Sequence, residues 1–254
     1  MINEKSPYYY NKEIFVRYSE MDYHKMLKPS AFLNFLQDVA TVAADKAHFG
    51  YDEVYPKNLG WFLLKYHMEF NNYPQDIENL LIKTEARGYN KLFAHRDFEI
   101  YNNESKELIG RVISYWTLVN LADKSMHSPG EIFPDRFPKV EKRDDDLVFS
   151  KVHPLDRIDY SQEFKVRFDD IDVNKHVNNM NYIVWAFEAL PKEFRDTYKL
   201  KVLDMVYKKE IQYGNTVLSE VQVDENRTKI SVKNKNTDEE LCTIEAEFEK
   251  YNNL

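Results

Sequence analysis

"EFKVRFDDIDVNKH", residues 163–176, has an echo 150 positions earlier in "EIFVRYSEMDYHKM", residues 13–26. Five of the fourteen aligned pairs are identical: Glu13/Glu163, Val16/Val166, Arg17/Arg167, Asp22/Asp172 and Lys25/Lys175. Tyr18/Phe168 and Glu20/Asp170 keep their type, and the register continues without a gap into Phe32/Tyr182 and Phe35/Trp185. A repeat at this offset predicts two homologous domains in tandem, not a short-period solenoid. With 254 residues the chain has room for both.

Each half reads in the same order. A short strand comes first, at about 11–19 and 161–169, and a loop and one long helix follow. Pro29 marks the first helix start, where a missing N–H costs nothing. Phe32, Leu36, Val39, Ala40 and Ala43 recur at helical spacing, and Gly50 lies just beyond the end. In the second half Ile183, Ala186, Phe187 and Leu190 fall at i, i+3, i+4 and i+7, before Pro191.

Strands fill the rest of each half. The first carries "WFLLKYHMEF", "NLLIKTEARGY", "LFAHRDFEIY" and "ELIGRVISYWTLVN"; the second carries "VLDMVYKKEIQY", "TVLSEVQV", "TKISVKN" and "ELCTIEAEFEKY". In the last, Cys242, Ile244, Ala246 and Phe248 alternate with Thr243, Glu245, Glu247 and Glu249, one face apolar and one wet. That is an antiparallel sheet covered on one side. The Asp-, Lys- and Pro-rich stretch 121–160 reads as the connection. The expected division is a domain at 1–125, a linker at 126–158 and a domain at 159–254. The fold class is α+β, a tandem (double) hotdog in which each half packs a long helix on an antiparallel sheet of about five strands.

Composition excludes several classes. The formal net charge of -8 argues against a general affinity for nucleic acid. No segment has the apolar run of a signal peptide or membrane span, and the single Cys242 precludes an internal disulfide. A cytoplasmic location is the simplest expectation. The six glycines form neither GxGxxG nor a P-loop, so no nucleotide cofactor is expected, and no G-x-S-x-G elbow occurs. His48, His67, His95, His127 and His153 are scattered and read as structural or exposed.

The candidate chemistry lies at "DIDVNKHVNNMNYIVW", residues 170–185. Asp172, Asn174 and His176 precede a helix whose N-terminal N–H groups, near Val177 and Asn178, can hold a developing oxyanion. Asn174 can orient a carbonyl or a water, His176 can move protons near neutrality, and Asp172 can fix either one. The same residues are also good caps and turn formers. The repeat tips the balance: Asp22 is kept in the first half, but Asn174 becomes His24 and His176 becomes Met26. One working site and one retired site explain that asymmetry. Asp170, Asp172 and Asn174 mimic the start of a calcium loop, but Lys175 stands where Gly is required and Asn181 where Glu is required. No metal site is expected, since no second His or Cys lies at ligand spacing.

The segment 170–185 is very similar to the signature of the acyl-acyl carrier protein thioesterases. "NLGWFLLKYHMEF" (59–70, with Asn58 before it) and "ISYWTLVNLADKSMHSP" (113–129) look like that family's N-terminal domain. The resemblance implies a double hotdog, a catalytic set in the C-terminal half and an acyl tail mainly in the N-terminal half. Asp172, Asn174 and His176 match the family's acid, amide and imidazole, and Glu210 matches its second acid. Ile211 replaces the cysteine that follows this acid in the plant enzymes, which removes a thiol mechanism. Glu210 is expected on a strand face with Lys208 and Gln212, and Glu69 as its counterpart in the first half. The implied reaction is hydrolysis of a fatty acyl thioester on acyl carrier protein. An acidic carrier and a chain of net charge -8 repel, so docking is expected to need a local basic cluster, for which Lys175, Lys208 and Lys209 are candidates. Acyl-CoA hydrolysis and, in another class, a non-catalytic acyl-binding module remain open, as does a homodimer. No membrane insertion is expected.

Overall fold

The computed structural model describes residues 1–76, 79–172 and 175–251. The first half holds β1 (Tyr9–Phe15), α1 (Pro29–Lys46), α2 (Tyr51–Val54), β2 (Leu59–Phe70), β3 (Asn79–Asn90), β4 (Phe93–Asn102), β5 (Leu108–Asn120), β6 (Met126–His127) and α3 (Pro129–Ile132). The second holds β7 (Tyr160–Lys165), α4 (Met180–Glu188), α5 (Lys192–Thr197), β8 (Tyr198–Tyr207), β9 (Thr216–Asp224), β10 (Arg227–Asn234) and β11 (Glu240–Lys250).

The strands form one continuous antiparallel sheet in the order β1-β3-β4-β5-β2-β8-β11-β10-β9-β7, with β6 beside β5. The order is the same from either edge, which is the repeat made visible. The halves join where β2 pairs β8, His67 opposite Asp204. Helices α1 and α4 pack together on one face. Phe32, Leu36, Val39 and Ala40 of α1 share a core with Ile183, Ala186 and Phe187 of α4 and with the inner face of β11, where Cys242, Ile244, Ala246 and Phe248 are buried.

Two helix ends differ from expectation. The N–H groups of His48 and Phe49 donate to Asp45 O and Ala44 O, and His48 takes φ 58°. This Schellman closure ends α1 at a histidine two residues before Gly50. The second helix has nine residues against eighteen in α1. It stops at Glu188 because Pro191 disfavours helical backbone at Leu190, which is buried outside the helix.

The expected linker begins too early. β6 pairs with β5, and Phe133 and Phe137 fill a second core with Phe49, Leu59 and Leu118. The chain then crosses the outer face of the sheet. Arg87 bonds Asp97, Asp146 and the Glu141 carbonyl; Arg143 bonds Glu85. Ser150 N–H donates to Asp204, His153 N–H to Glu245 and Asp156 N–H to Gln222. This strap covers polar strand residues that would otherwise face water. Among the described residues no helix is long and apolar enough to cross a membrane.

Candidate active site

The repeated motif folds the same way twice. The N–H of Arg17 donates to Glu20 Oε2 at 2.7 Å, and that of Arg167 to Asp170 Oδ2 at 2.8 Å. Asp22 N–H bonds Met26 O, and Asp172 N–H bonds His176 O, each at 2.8 Å. Lys25 and Lys175 take φ 60° and 64°, a left-handed corner that reverses the chain. Lys28 N–H then donates to Glu20 O, and Asn178 N–H to Asp170 O. Buried Asp170 also binds the Arg167 guanidinium, and its carbonyl accepts Asn181 Nδ2. It therefore holds the loop onto α4.

The halves diverge at one amide. Leu27 N–H donates to Pro74 O at 3.0 Å. Its counterpart, Val177 N–H, has no acceptor among the described residues. The narrow pairing of Ile171 with Val177 turns that N–H away from the bridge. Beside it, His176 Nε2 stands 3.3 Å from Glu210 Oε2, both side chains partly exposed. Asn178 N–H is engaged by Asp170, and Asn178 Oδ1 accepts Met180 N–H. Asn178 thus shapes the helix start rather than offering its amide to a ligand. Asn174 lies outside the described residues.

Glu210 is not on a strand. β8 ends at Tyr207, and the N–H groups of Lys208 and Lys209 converge on Leu241 O. This doubled contact ends the ladder and swings Glu210 out toward His176. The first half repeats the device, with Asn71 and Asn72 N–H converging on Ile109 O. The residue directly after each doublet is Glu210 in one half and Tyr73 in the other, so the counterpart of Glu210 is Tyr73. Glu69, the expected counterpart, is inside β2 and bonds His67.

The first-half site is closed by its own side chains. Tyr73 is buried beside Asp22, and Met26 is buried as well. His24 Nε2 contacts Asp196 of α5 at 3.2 Å and packs on Tyr23 and Tyr251. In the sequence this divergence from the second half shows only as His24 and Met26. Tyr73 carries no signal there, because its equivalence with Glu210 depends on where two strands end.

Two other placements bear on chemistry. Cys242 is fully buried, and burial pushes its thiol pKa well up, so it is no nucleophile. Lys208 and Lys209 pair with Glu240 and Glu239 of the β10–β11 turn and its flank, which neutralises two of the three lysines expected to dock a partner.

Two helix-on-sheet units fused through β2 and β8, with a loop of acid, imidazole and backbone amide at one helix start, define a tandem hotdog protein. Its fold matches that of a putative oleoyl thioesterase from Lactobacillus plantarum (TM-score 0.84, 20% identity, 96% of this chain and 97% of that one). An acyl-ACP thioesterase from Bacteroides thetaiotaomicron matches equally well (0.84, 22%, 95% and 98%). Residues 7–133 match the acyl-ACP thioesterase N-terminal domain and residues 155–250 the C-terminal domain. The chain belongs to the acyl-ACP thioesterase family. It is 26% identical over 235 residues to oleoyl-acyl carrier protein thioesterase 2 of Arabidopsis thaliana, with 82% of this chain and 61% of that protein covered. The chain spans about three fifths of the length of the curated relatives it matches.

Proposed function

We propose that this chain hydrolyses a fatty acyl thioester carried on acyl carrier protein, releasing the free acid. The observation that carries the reading is the Val177 N–H, without an acceptor among the described residues, next to the His176–Glu210 pair. The carbonyl oxygen takes a hydrogen bond from Val177 N–H at the start of α4, where the helix dipole favours negative charge. Water lies against Glu210, which accepts its proton as the oxygen attacks the carbonyl carbon. The C–S bond then breaks, and the proton reaches the departing sulfur through Glu210 or His176. Asp172 holds the turn that places His176 by the paired bonds of its backbone to His176 and Lys175. Asn174 is assigned to orienting the water or the carbonyl, and Asn178 to fixing the helix start.

The test is hydrolysis of matched acyl thioesters on carrier protein and on CoA, with the free acid quantified. Glu210→Gln keeps the shape and should lower kcat by about 10²-fold or more. Turnover of acyl-CoA with none of the carrier-bound substrate would assign the donor to CoA. Tight acyl binding without hydrolysis on either donor would refute an enzyme.

A further inference from the structure

One transverse row on the inner face of the sheet differs in kind between the halves. Read across paired strands it runs Ala86, Arg96, Ser114, Tyr66 in the first half. It continues Met205, Ile244, Ile230, Val221 in the second, apolar throughout. Arg96 is 5% exposed and Tyr66 0%. The Arg96 guanidinium makes one hydrogen bond, from Nη1 to Thr84 Oγ1 at 3.1 Å, and meets no carboxylate at ion-pair distance among the described residues. The Tyr66 hydroxyl has no partner among them. Burial pushes the Arg96 pKa down to about 10, so it remains protonated at neutral pH. Apart from Ser114 and Thr84, the pair's surroundings on this face are hydrocarbon, including Ile82, Phe98, Ile100 and Val112.

This polar pair lies in line with the candidate site. Tyr207 Oη donates to Asn179 O at the start of α4, 3.2 Å away. Met205, two residues earlier on the same face, is opposite Tyr66. From Tyr207 to Arg96 the path runs two residues along and three strands across, roughly 16 Å at about 3.3 Å per residue and 4.8 Å per strand. Val177, Met205, Tyr66 and Phe98 belong to one hydrophobic cluster, so apolar side chains join the candidate site to the Arg96 row.

We propose that Arg96, with Tyr66, ends the hydrocarbon path and limits the acyl group to about a dozen carbons, at roughly 1.25 Å of advance per C–C bond. The proposal rests on the thioester reading above. Each methylene laid in the apolar stretch strengthens binding about fourfold. A methylene pressed on the guanidinium gains nothing and bars any acceptor from its free donors, which is strongly unfavourable in a buried setting.

The experiment measures kcat/KM for saturated acyl thioesters of about eight to about eighteen carbons, and calorimetric Kd for the matching free acids. The wild-type chain should weaken about tenfold or more once the tail exceeds the limit. Arg96→Met, close in shape and apolar, should raise both readouts for the longer tails by about tenfold, while Arg96→Lys keeps the limit. If Arg96→Met does not fold, Tyr66→Phe should move the limit the same way by a smaller factor. Unshifted length profiles in the folded variants overturn the proposal. A wild-type chain that binds acids with the expected limit yet cleaves no thioester overturns the enzymatic reading alone.

Discussion

His67→Leu should destabilise the chain at the joint between its halves. His67 Nδ1 is 2.9 Å from Asp204 Oδ1 across β2 and β8, and Nε2 is 3.1 Å from Glu69 Oε1. The His67 and Asp204 side chains are 4% and 8% exposed; that of Glu69 is 52% exposed. Removing the imidazole leaves Glu69 in water at little cost but strands Asp204, whose remaining donor is Ser150 N–H at 3.2 Å. Breaking a buried charged pair costs about 3–5 kcal/mol, and the retained amide puts this case near 3. For a chain of this size that lowers Tm by roughly 6–12 °C. Burial pushes the His67 pKa down, but Asp204 and then Glu69 push it up further, and the net shift is upward. The protonated imidazole therefore favours the folded state. Its contribution is complete below the unfolded value of about 6.5 and fades as pH rises through the raised folded value. Calorimetric melts of wild type and His67→Leu should differ most near pH 6 and draw closer at higher pH, where the neutral imidazole keeps only a hydrogen bond to Asp204. His67→Leu with Asp204→Leu should recover most of the loss, since an apolar pair of similar volume replaces the charges. A single variant that melts with wild type at pH 6, or a gap that widens with pH, would refute the reasoning.

Tyr73→Phe in the first half should leave turnover and Tm near wild type, because the lost hydroxyl has no partner among the described residues; a loss of turnover rivalling that of Glu210→Gln would mean the first site is not retired. Iodoacetamide should leave the native chain active, since Cys242 is buried and un-ionised. Cys242→Ser should cost about 1–3 kcal/mol in chemical denaturation while retaining activity. Gly88 takes φ 118° with Pro138 O pressed against the place where a Cβ would sit, so Gly88→Ala should loosen the strap and cost about 2 kcal/mol or more, read as faster proteolysis within 138–158.

The sequence by itself determined the repeat, the class of each half and the loop proposed to carry the chemistry. These are local matters: strand alternation in β11, helical spacing in α1, and a motif whose hydrogen bonds close within about ten residues. It also isolated the asymmetry between His24, Met26 and their second-half partners. Only the tertiary structure decided what faces what. The end of β8 depends on two amides meeting one carbonyl of β11, and no propensity in "VYKKEIQY" reveals it. Glu210 therefore left its expected strand, and Tyr73 displaced Glu69 as its counterpart. His67 read as one scattered histidine because Asp204 lies 137 residues away and becomes its neighbour only through the β2–β8 register. Val177 was legible as a helix-start amide, yet its freedom follows from Pro74 capping Leu27 in one half and nothing taking that place among the described residues of the other. Pairing across the sheet is a property of the folded register, and that register is where the two halves part.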